Sequence, residues 1–233
     1  MQENKVQVLS TRPVDESLLW DALQKEIAIE VVSFIETEPI QSVQVQQEIE
    51  LAFIQSTTVV FTSMNAVEAV AAEADGQDPD WNIYCIGNTT RQLIIEYFGE
   101  EKIQGTANSA AELAELIVEE ENTDDVIFFC GDQRRDELPD ILRSNNIDVT
   151  EIVVYHTIPV PKKINKNYNG ILFFSPSAVD SFFKLNKPGK QTILFAIGNT
   201  TANAIKKYAD NKIIISKTPD KEHMIKEVVN YFS

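Results

Sequence analysis

The sequence is poor in the residues from which metal sites and disulfide frameworks are built. Its 233 residues include 2 cysteines and 2 histidines, with no CxxC pair and no histidine cluster. Disulfide frameworks and structural zinc sites need several such residues at close spacing, so we expect neither, and no bound metal. Cys85 and Cys130 stand alone, and we expect both to be buried apolar residues.

Basic residues and long apolar runs are also scarce. The chain has 20 Lys and Arg against 36 Asp and Glu, a net charge of −16. Because contacts to phosphate backbones and anionic lipids are built mainly from lysine and arginine, we expect no nucleic-acid partner and no membrane. No apolar run approaches the about 20 residues that span a bilayer, and residues 1–13 lack the apolar core of a signal peptide. We therefore expect a soluble, cytoplasmic protein.

The motifs of several common enzyme classes are missing. The sequence has no GxGxxG, no phosphate-binding GxxxxGKS/T and no GxSxG. Dinucleotide binding, P-loop chemistry and serine-hydrolase chemistry are therefore not expected. Of the two histidines, His223 falls on the last predicted helix and is interpreted as solvated, while His156 adjoins Tyr155 on a predicted strand.

Short runs of β-branched and aromatic residues alternate with helix-length amphipathic segments such as 43–54 and 110–120. This alternation predicts an α/β fold with flavodoxin-like parallel sheets covered by helices on both faces. The continuous apolar run at 127–130 is typical of a strand that is buried on both sides. The predicted strands are residues 6–10, 30–35, 58–62, 82–86, 102–104, 125–130, 150–156, 170–174, 193–197 and 212–215.

Internal repeats indicate how these elements divide into domains. Residues 61–67 match 173–179 at an offset of 112, and 86–90 match 197–201 at 111, whereas 6–10 match 126–130 at 120. Two kinds of offset indicate two similar five-strand domains that are interleaved in the chain. The prediction is a discontinuous terminal domain, a central domain, a two-stranded crossover between them, and an active-site cleft that separates them. The predicted ranges are 1–36 with 159–233 for the terminal domain and 39–157 for the central domain.

Charge supports this division. Residues 37–158 contain 5 basic and 24 acidic side chains, while the rest of the chain contains 15 and 12. Such an asymmetry indicates two units with different surfaces.

Four loops that follow repeated strands share one chemical character. Small hydroxyl or amide residues precede a predicted helix at 63–65, 87–89, 175–177 and 198–200. Free N–H groups and the helix dipole favour anions at such positions. For any single loop, ordinary helix capping is the simpler interpretation. Four equivalent loops together favour a ligand that carries several carboxylates or phosphates.

Three arginines and one tyrosine are further candidates. Arg12 and Arg134, with Arg135 beside the latter, follow equivalent strands and are suited to bidentate carboxylate binding. Surface ion pairing with neighbours such as Asp136 is the alternative. Tyr155 stands where the repeat has an apolar residue, and a half-buried structural role is the alternative there.

Five motifs stand in order along the chain, at residues 59–67 (VVFTSMNAV), 86–90 (IGNTT), 131–142 with 153–157 (VVYHT), 173–179 (FFSPSAV) and 196–202 (AIGNTTA). Together they resemble the uroporphyrinogen-III synthase family, and the resemblance covers nearly the whole chain. It implies two α/β domains, a double β crossover and no metal or organic cofactor. It also implies a lyase of tetrapyrrole and haem biosynthesis that cyclises hydroxymethylbilane to uroporphyrinogen III, inverting ring D and losing water.

The resemblance also implies roles for single residues. Tyr155 becomes the candidate hydrogen-bond or proton donor to the departing hydroxyl group. A monomer is implied, with a transient handover of the linear tetrapyrrole from hydroxymethylbilane synthase. The main alternative is a non-enzymatic two-domain receptor for a small polyanionic metabolite. The predicted substrate-binding residues are Arg12, Ser63, Gly87, Asn88, Thr89, Gly131, Ser175, Ser177, Gly198, Asn199 and Thr200, to which the loop and arginine arguments add Asn65 and Arg134.

Overall fold

The computed structural model describes residues 5–120, 123–218 and 220–233, apart from the side chain of Asn88. The chain forms two compact units. The terminal unit consists of Met1–Glu36 with Ile158–Ser233, and the central unit consists of Thr37–Thr157. Within the described ranges, no helix has both the length and the apolar character needed to cross a membrane.

Strands and helices alternate along the described part of the chain. The strands are β1 Val6–Ser10, β2 Ile27–Val31, β3 Ile35–Pro39, β4 Thr57–Phe61, β5 Trp81–Ile86, β6 Ile103–Ala107, β7 Asp125–Gly131, β8 Asp148–Pro159, β9 Gly170–Phe173, β10 Ile193–Ala196 and β11 Ile213–Ile215. The helices are α1 Glu16–Leu23, α2 Val43–Phe53, α3 Met64–Ala71, α4 Asn88–Phe98, α5 Ala110–Glu119, α6 Glu137–Ser144, α7 Pro176–Phe183, α8 Asn199–Lys206 and α9 Lys221–Phe232.

Five strands of each sheet have the same order once the repeats are aligned. Within the described residues the central sheet has a sixth strand, β3, so the prediction of five strands is wrong for the central domain. The terminal sheet has the order β11-β10-β9-β1-β2, and the central sheet has the order β6-β5-β4-β7-β8-β3. All pairings in the terminal sheet are parallel, as are those from β6 through β8 in the central sheet. The sequence repeat at an offset of 112 makes β9 the equivalent of β4, and the repeat at 120 makes β1 the equivalent of β7. The predicted fold class, two similar parallel sheets interleaved in the chain, is confirmed.

The predicted single strand at 30–35 is wrong, because the chain changes sheets there. β2 ends at Val31 in the terminal sheet and β3 begins at Ile35 in the central sheet. Between them Phe34 is fully buried and packs edge-on against Phe182, with ring centroids 5.2 Å apart. Phe34 belongs to the core of the terminal unit, so the sequence stays apolar between the two strands and looks like one continuous strand.

β3 and β8 carry the chain between the units as an antiparallel pair. The N–H of Ile40 donates to the carbonyl of Val154, and the N–H of Val160 donates to the carbonyl of Phe34, both at 2.9 Å. The partner number falls as the residue number rises, which is the antiparallel arrangement. The two-stranded crossover is therefore present.

The inner strands of the central sheet are apolar on both faces because helices cover both. Phe61 and Phe129 lie on one face, with stacked ring centroids 5.4 Å apart. Val60 and Phe128 lie on the other face and belong to a separate core cluster. Because side chains alternate along a strand, a continuous apolar run fills both cores.

Both cysteines are buried, Cys85 on β5 and Cys130 on β7. Burial raises the pKa of each thiol to about 11. Since the thiolate is the reactive form, only about one thiol in a thousand is ionised at pH 8. We expect a thiol reagent at pH 8 to leave the folded protein unmodified and to modify both cysteines in guanidinium. Rapid modification of the folded protein would contradict the buried positions.

Candidate functional site

Neighbouring strands of the central sheet bring four predicted site residues to one edge. The strands β8, β7, β4 and β5 are neighbours in that order. Tyr155 lies on β8 and Gly131 ends β7, while Ser63 follows β4 and Gly87 follows β5. Because these strands are parallel, their carboxyl ends meet at the same edge, where α/β sheets bind ligands. The structure therefore places these four predicted residues along one continuous edge.

The Tyr155 hydroxyl lies at the N-terminus of α3. It donates a hydrogen bond to Ser63 Oγ at 3.1 Å. Ser63 is the N-cap of α3, and its Oγ also accepts from the backbone N–H of Asn65 at 3.2 Å. The Tyr155 ring is half-buried against the core that contains Phe61. These contacts hold the phenol at the positive end of a helix, with its hydroxyl hydrogen-bonded to Ser63.

Gly131 leaves the space that the Tyr155 ring occupies. The pairing of β7 and β8 shifts between Cys130 and Gly131, so that Cys130 pairs with Val153 while Gly131 pairs with Tyr155. Such a bulge redirects the following side chain. A Cβ atom at Gly131 would lie 2.7 Å from the Tyr155 hydroxyl oxygen and closer still to the ring. Any other residue at this position would displace the phenol.

Asp132, which was not predicted as a site residue, directly follows β7 and forms hydrogen bonds to β8 beside Tyr155. Its N–H donates to the carbonyl of Tyr155 at 3.1 Å. Its Oδ1 accepts from the N–H of Thr157 at 2.9 Å, and its Oδ2 lies 3.2 Å from His156 Nδ1. An acidic residue directly after a buried strand is the only signal for it in the sequence.

Arg134 contacts carboxylates of its own unit. It forms ion pairs with Asp136 and with Glu151, whose side chain is 15% exposed and also pairs with Arg143 at 2.7 Å. This is the ion pairing that the sequence left open as the alternative to ligand binding. Arg135 next to it is exposed.

The two IGNTT motifs differ in backbone conformation. Gly87, the N-cap of α4, has φ +77°, a left-handed conformation that favours glycine. Its N–H donates to the carbonyl of Ala107 at 3.2 Å. Gly198, the N-cap of α8, has φ −176°, which any residue adopts. Asn88 follows Gly87 with its side chain outside the described residues, and Thr89 is exposed.

The terminal sheet presents the equivalent loops at the carboxyl ends of β1, β9 and β10. Ser175 caps α7, where its Oγ accepts from the N–H of Ala178 at 3.2 Å and lies 3.0 Å from Ser177 Oγ. Asn199 and Thr200 form the exposed first turn of α8. Arg12 is exposed after β1.

Within the described part of the chain, no group of three or more His, Cys, Asp or Glu side chains is placed to hold a metal ion. The groups at the carboxyl ends of the parallel strands that suit an anionic ligand include a phenol, hydroxyl groups and helix N–H groups. Such groups bind anions and donate hydrogen bonds or protons.

Comparisons with known proteins give consistent results. The family model described as uroporphyrinogen-III synthase HemD matches residues 23–226. A mutant uroporphyrinogen III synthase from the extremely thermophilic bacterium Thermus thermophilus superposes with a TM-score of 0.62 and 13% identity, covering 97% of this chain and 98% of that one. A uroporphyrinogen-III synthetase from Helicobacter pylori superposes with a TM-score of 0.62 and 15% identity, covering 97% of this chain and 99% of that one. At such identities the two structures show a shared fold.

Proposed function

Because the chain belongs to the uroporphyrinogen-III synthase family, we propose that its carboxyl-end loops bind hydroxymethylbilane and that Tyr155 assists the loss of the hydroxyl group. Enzymes of this family are cyclising lyases of tetrapyrrole biosynthesis, and their substrate is a linear tetrapyrrole. The observation that carries the proposal is the Tyr155 hydroxyl, held 3.1 Å from Ser63 Oγ at a helix N-terminus. No other phenol is hydrogen-bonded to one of the predicted loops within the described residues.

Tyr155 is suited to general-acid assistance. When the phenol turns its hydrogen bond from Ser63 Oγ to the substrate and supplies its proton, the substrate hydroxyl leaves as water and an azafulvene cation remains. The substituted carbon of ring D then attacks the cation to give a spiro-pyrrolenine, whose rearrangement inverts the ring. The proton lost as the macrocycle forms returns to the phenolate, so the enzyme is regenerated. Ser63 Oγ holds the phenol in place before the substrate arrives.

Backbone N–H groups at helix N-termini are the proposed ligands for the acetate and propionate groups. α3, α4, α7 and α8 all begin in loops at the carboxyl ends of parallel strands. The first turn of a helix has N–H groups without a partner inside the helix, and it lies at the positive end of the helix dipole. The net charge of −16 does not prevent this binding. Distant charges are screened beyond about 8 Å in physiological salt, so the hydrogen-bond donors close to the ligand determine whether an anion binds.

A proline substitution in α8 tests whether the substrate is bound by a backbone N–H group or by a side chain. Asn199 is the first residue of α8, where proline removes one N–H without breaking the helix, as Pro176 already does in α7. We expect Asn199→Pro to raise the KM about tenfold, because a hydrogen bond to a charged group is lost. Asn199→Ala keeps the N–H, and its KM should stay within about threefold of wild type. Equal increases in both variants would assign the binding to the side chain.

The consumption of freshly generated hydroxymethylbilane tests the proposed substrate. We expect the purified protein to accelerate its disappearance with a rate that saturates as the bilane concentration rises. Disappearance at the rate seen in buffer alone would refute the proposal. Heat-denatured protein is the matched control.

We further propose that the enzyme acts as a cytoplasmic monomer and receives the bilane directly from hydroxymethylbilane synthase. Free bilane closes spontaneously to the type I isomer, so a short transfer would limit this loss. Light scattering of the purified protein should give the mass of one chain, 26.2 kDa. A mass of twice this value would refute the monomer.

A further inference from the structure

The segment of β8 that carries Tyr155 extends beyond the end of its neighbour. β7 ends at Gly131, which pairs with Tyr155, whereas β8 continues to Pro159. The register shift just before this last pair leaves one extra residue in β8, which weakens the regular ladder locally. β3 holds the other side of β8 here, since the N–H of Ile40 donates to the carbonyl of Val154 at 2.9 Å, so the side that faced β7 is the one that needs a further contact.

Asp132 supplies that contact on both sides of Tyr155. Its backbone N–H donates to the Tyr155 carbonyl at 3.1 Å, and its carboxylate Oδ1 accepts from the N–H of Thr157 at 2.9 Å. The side chain thus takes the place of the next residue of the β7 ladder. We propose that Asp132 is a positioning residue, which holds the backbone of β8 so that the Tyr155 hydroxyl is directed toward the departing group. This inference rests on the proposed role of Tyr155.

The bond to Thr157 matters more than the contact with His156. The His156 and Asp132 side chains are 55% and 28% exposed, and exposed pairs of this kind contribute little. A backbone N–H that donates to a carboxylate forms a charge-assisted bond, which is stronger than a neutral one. The imidazole is therefore not required for the positioning.

Substitutions at Asp132 should change turnover rather than binding. We expect Asp132→Ala to lower kcat about tenfold and to leave KM within about twofold, because misplacing a catalytic group slows the chemical step. Asp132→Asn keeps an oxygen that can accept from Thr157, and should recover kcat to within about threefold of wild type. Asp125→Ala, at the other end of β7, is the matched control. A fall in kcat for Asp125→Ala as large as that for Asp132→Ala would overturn the proposal.

A double-mutant cycle tests whether Asp132 acts through the phenol. In a Tyr155→Phe background, Asp132→Ala should lower kcat less than about twofold further, since the hydroxyl is already absent. The same tenfold loss in both backgrounds, or no loss in wild type, would overturn the proposal.

Amide hydrogen exchange provides a readout that is independent of turnover. We expect Asp132→Ala, but not Asp125→Ala, to speed exchange at the N–H of Thr157 about tenfold or more. If wild type does not consume bilane while this exchange changes, the proposed function fails and the role of Asp132 in holding β8 remains. If exchange is unchanged, the positioning proposal fails whatever the activity.

Discussion

Tyr155→Phe is expected to lower kcat for bilane cyclisation about 100-fold while KM changes little. The phenol is the proposed proton donor, and a positioned general acid contributes about 10²- to 10⁴-fold. The low end of this range applies because positioning of the flexible bilane supplies the remaining rate. The measurement is the steady-state rate of bilane cyclisation.

The controls for Tyr155→Phe remove hydroxyl groups without removing the phenol. Ser63→Ala and Ser177→Ala should each lower kcat less than about tenfold, since neither hydroxyl supplies the proton. Thermal unfolding should show that Phe keeps the packing of the ring against the core. If Tyr155→Phe loses no more activity than Ser63→Ala, then Tyr155 is a structural residue.

Gly131→Ala is expected to lower kcat to a similar extent, about 100-fold, by displacing Tyr155. The new Cβ would lie 2.7 Å from the hydroxyl oxygen and closer to the ring, so the phenol must move. A displacement of about 1 Å from the productive geometry is enough for a loss of this size. Because the clash is with the far end of a side chain and not with backbone, we expect the free energy of unfolding to fall by no more than about 1–3 kcal/mol, the usual cost of adding a carbon atom to a packed site.

Two controls separate this clash from a general effect of alanine. Gly189→Ala places its Cβ no closer than 3.5 Å to Thr192 Oγ1, an ordinary contact, and should leave kcat unchanged. Gly131→Ala combined with Tyr155→Phe should be about as slow as Tyr155→Phe alone, because both changes remove the same hydroxyl from its place. Full activity of Gly131→Ala would show that the ring position is not needed.

The fold was largely predictable because its inner strands are buried on both faces. Apolar runs such as 127–130 give a strong pattern, and two repeat offsets were enough to divide the strands between two similar domains. The exception, the break between β2 and β3, has no glycine or proline to mark it. It depends on the burial of Phe34 against Phe182, which is a tertiary contact that local pattern does not contain.

The candidate site was less predictable than the fold. The motifs predict Ser63, Gly131 and Tyr155 as site residues, but the contacts of Gly131 and Asp132 with Tyr155 depend on a register shift between β7 and β8. Such a shift leaves no pattern in the sequence. Likewise, the identical IGNTT motifs give no indication that Gly87 is left-handed while Gly198 is extended.

The isomer composition of the product shows whether this protein closes the bilane with inversion of ring D. Hydroxymethylbilane is mixed with excess protein, and the oxidised products are separated into type I and type III uroporphyrins. Because spontaneous closure gives type I, we expect nearly all product to be type III with the wild-type protein. We also expect a large type I fraction with Tyr155→Phe at the same concentration. Type I product alone with the wild-type protein would refute both the proposed reaction and the role of Tyr155.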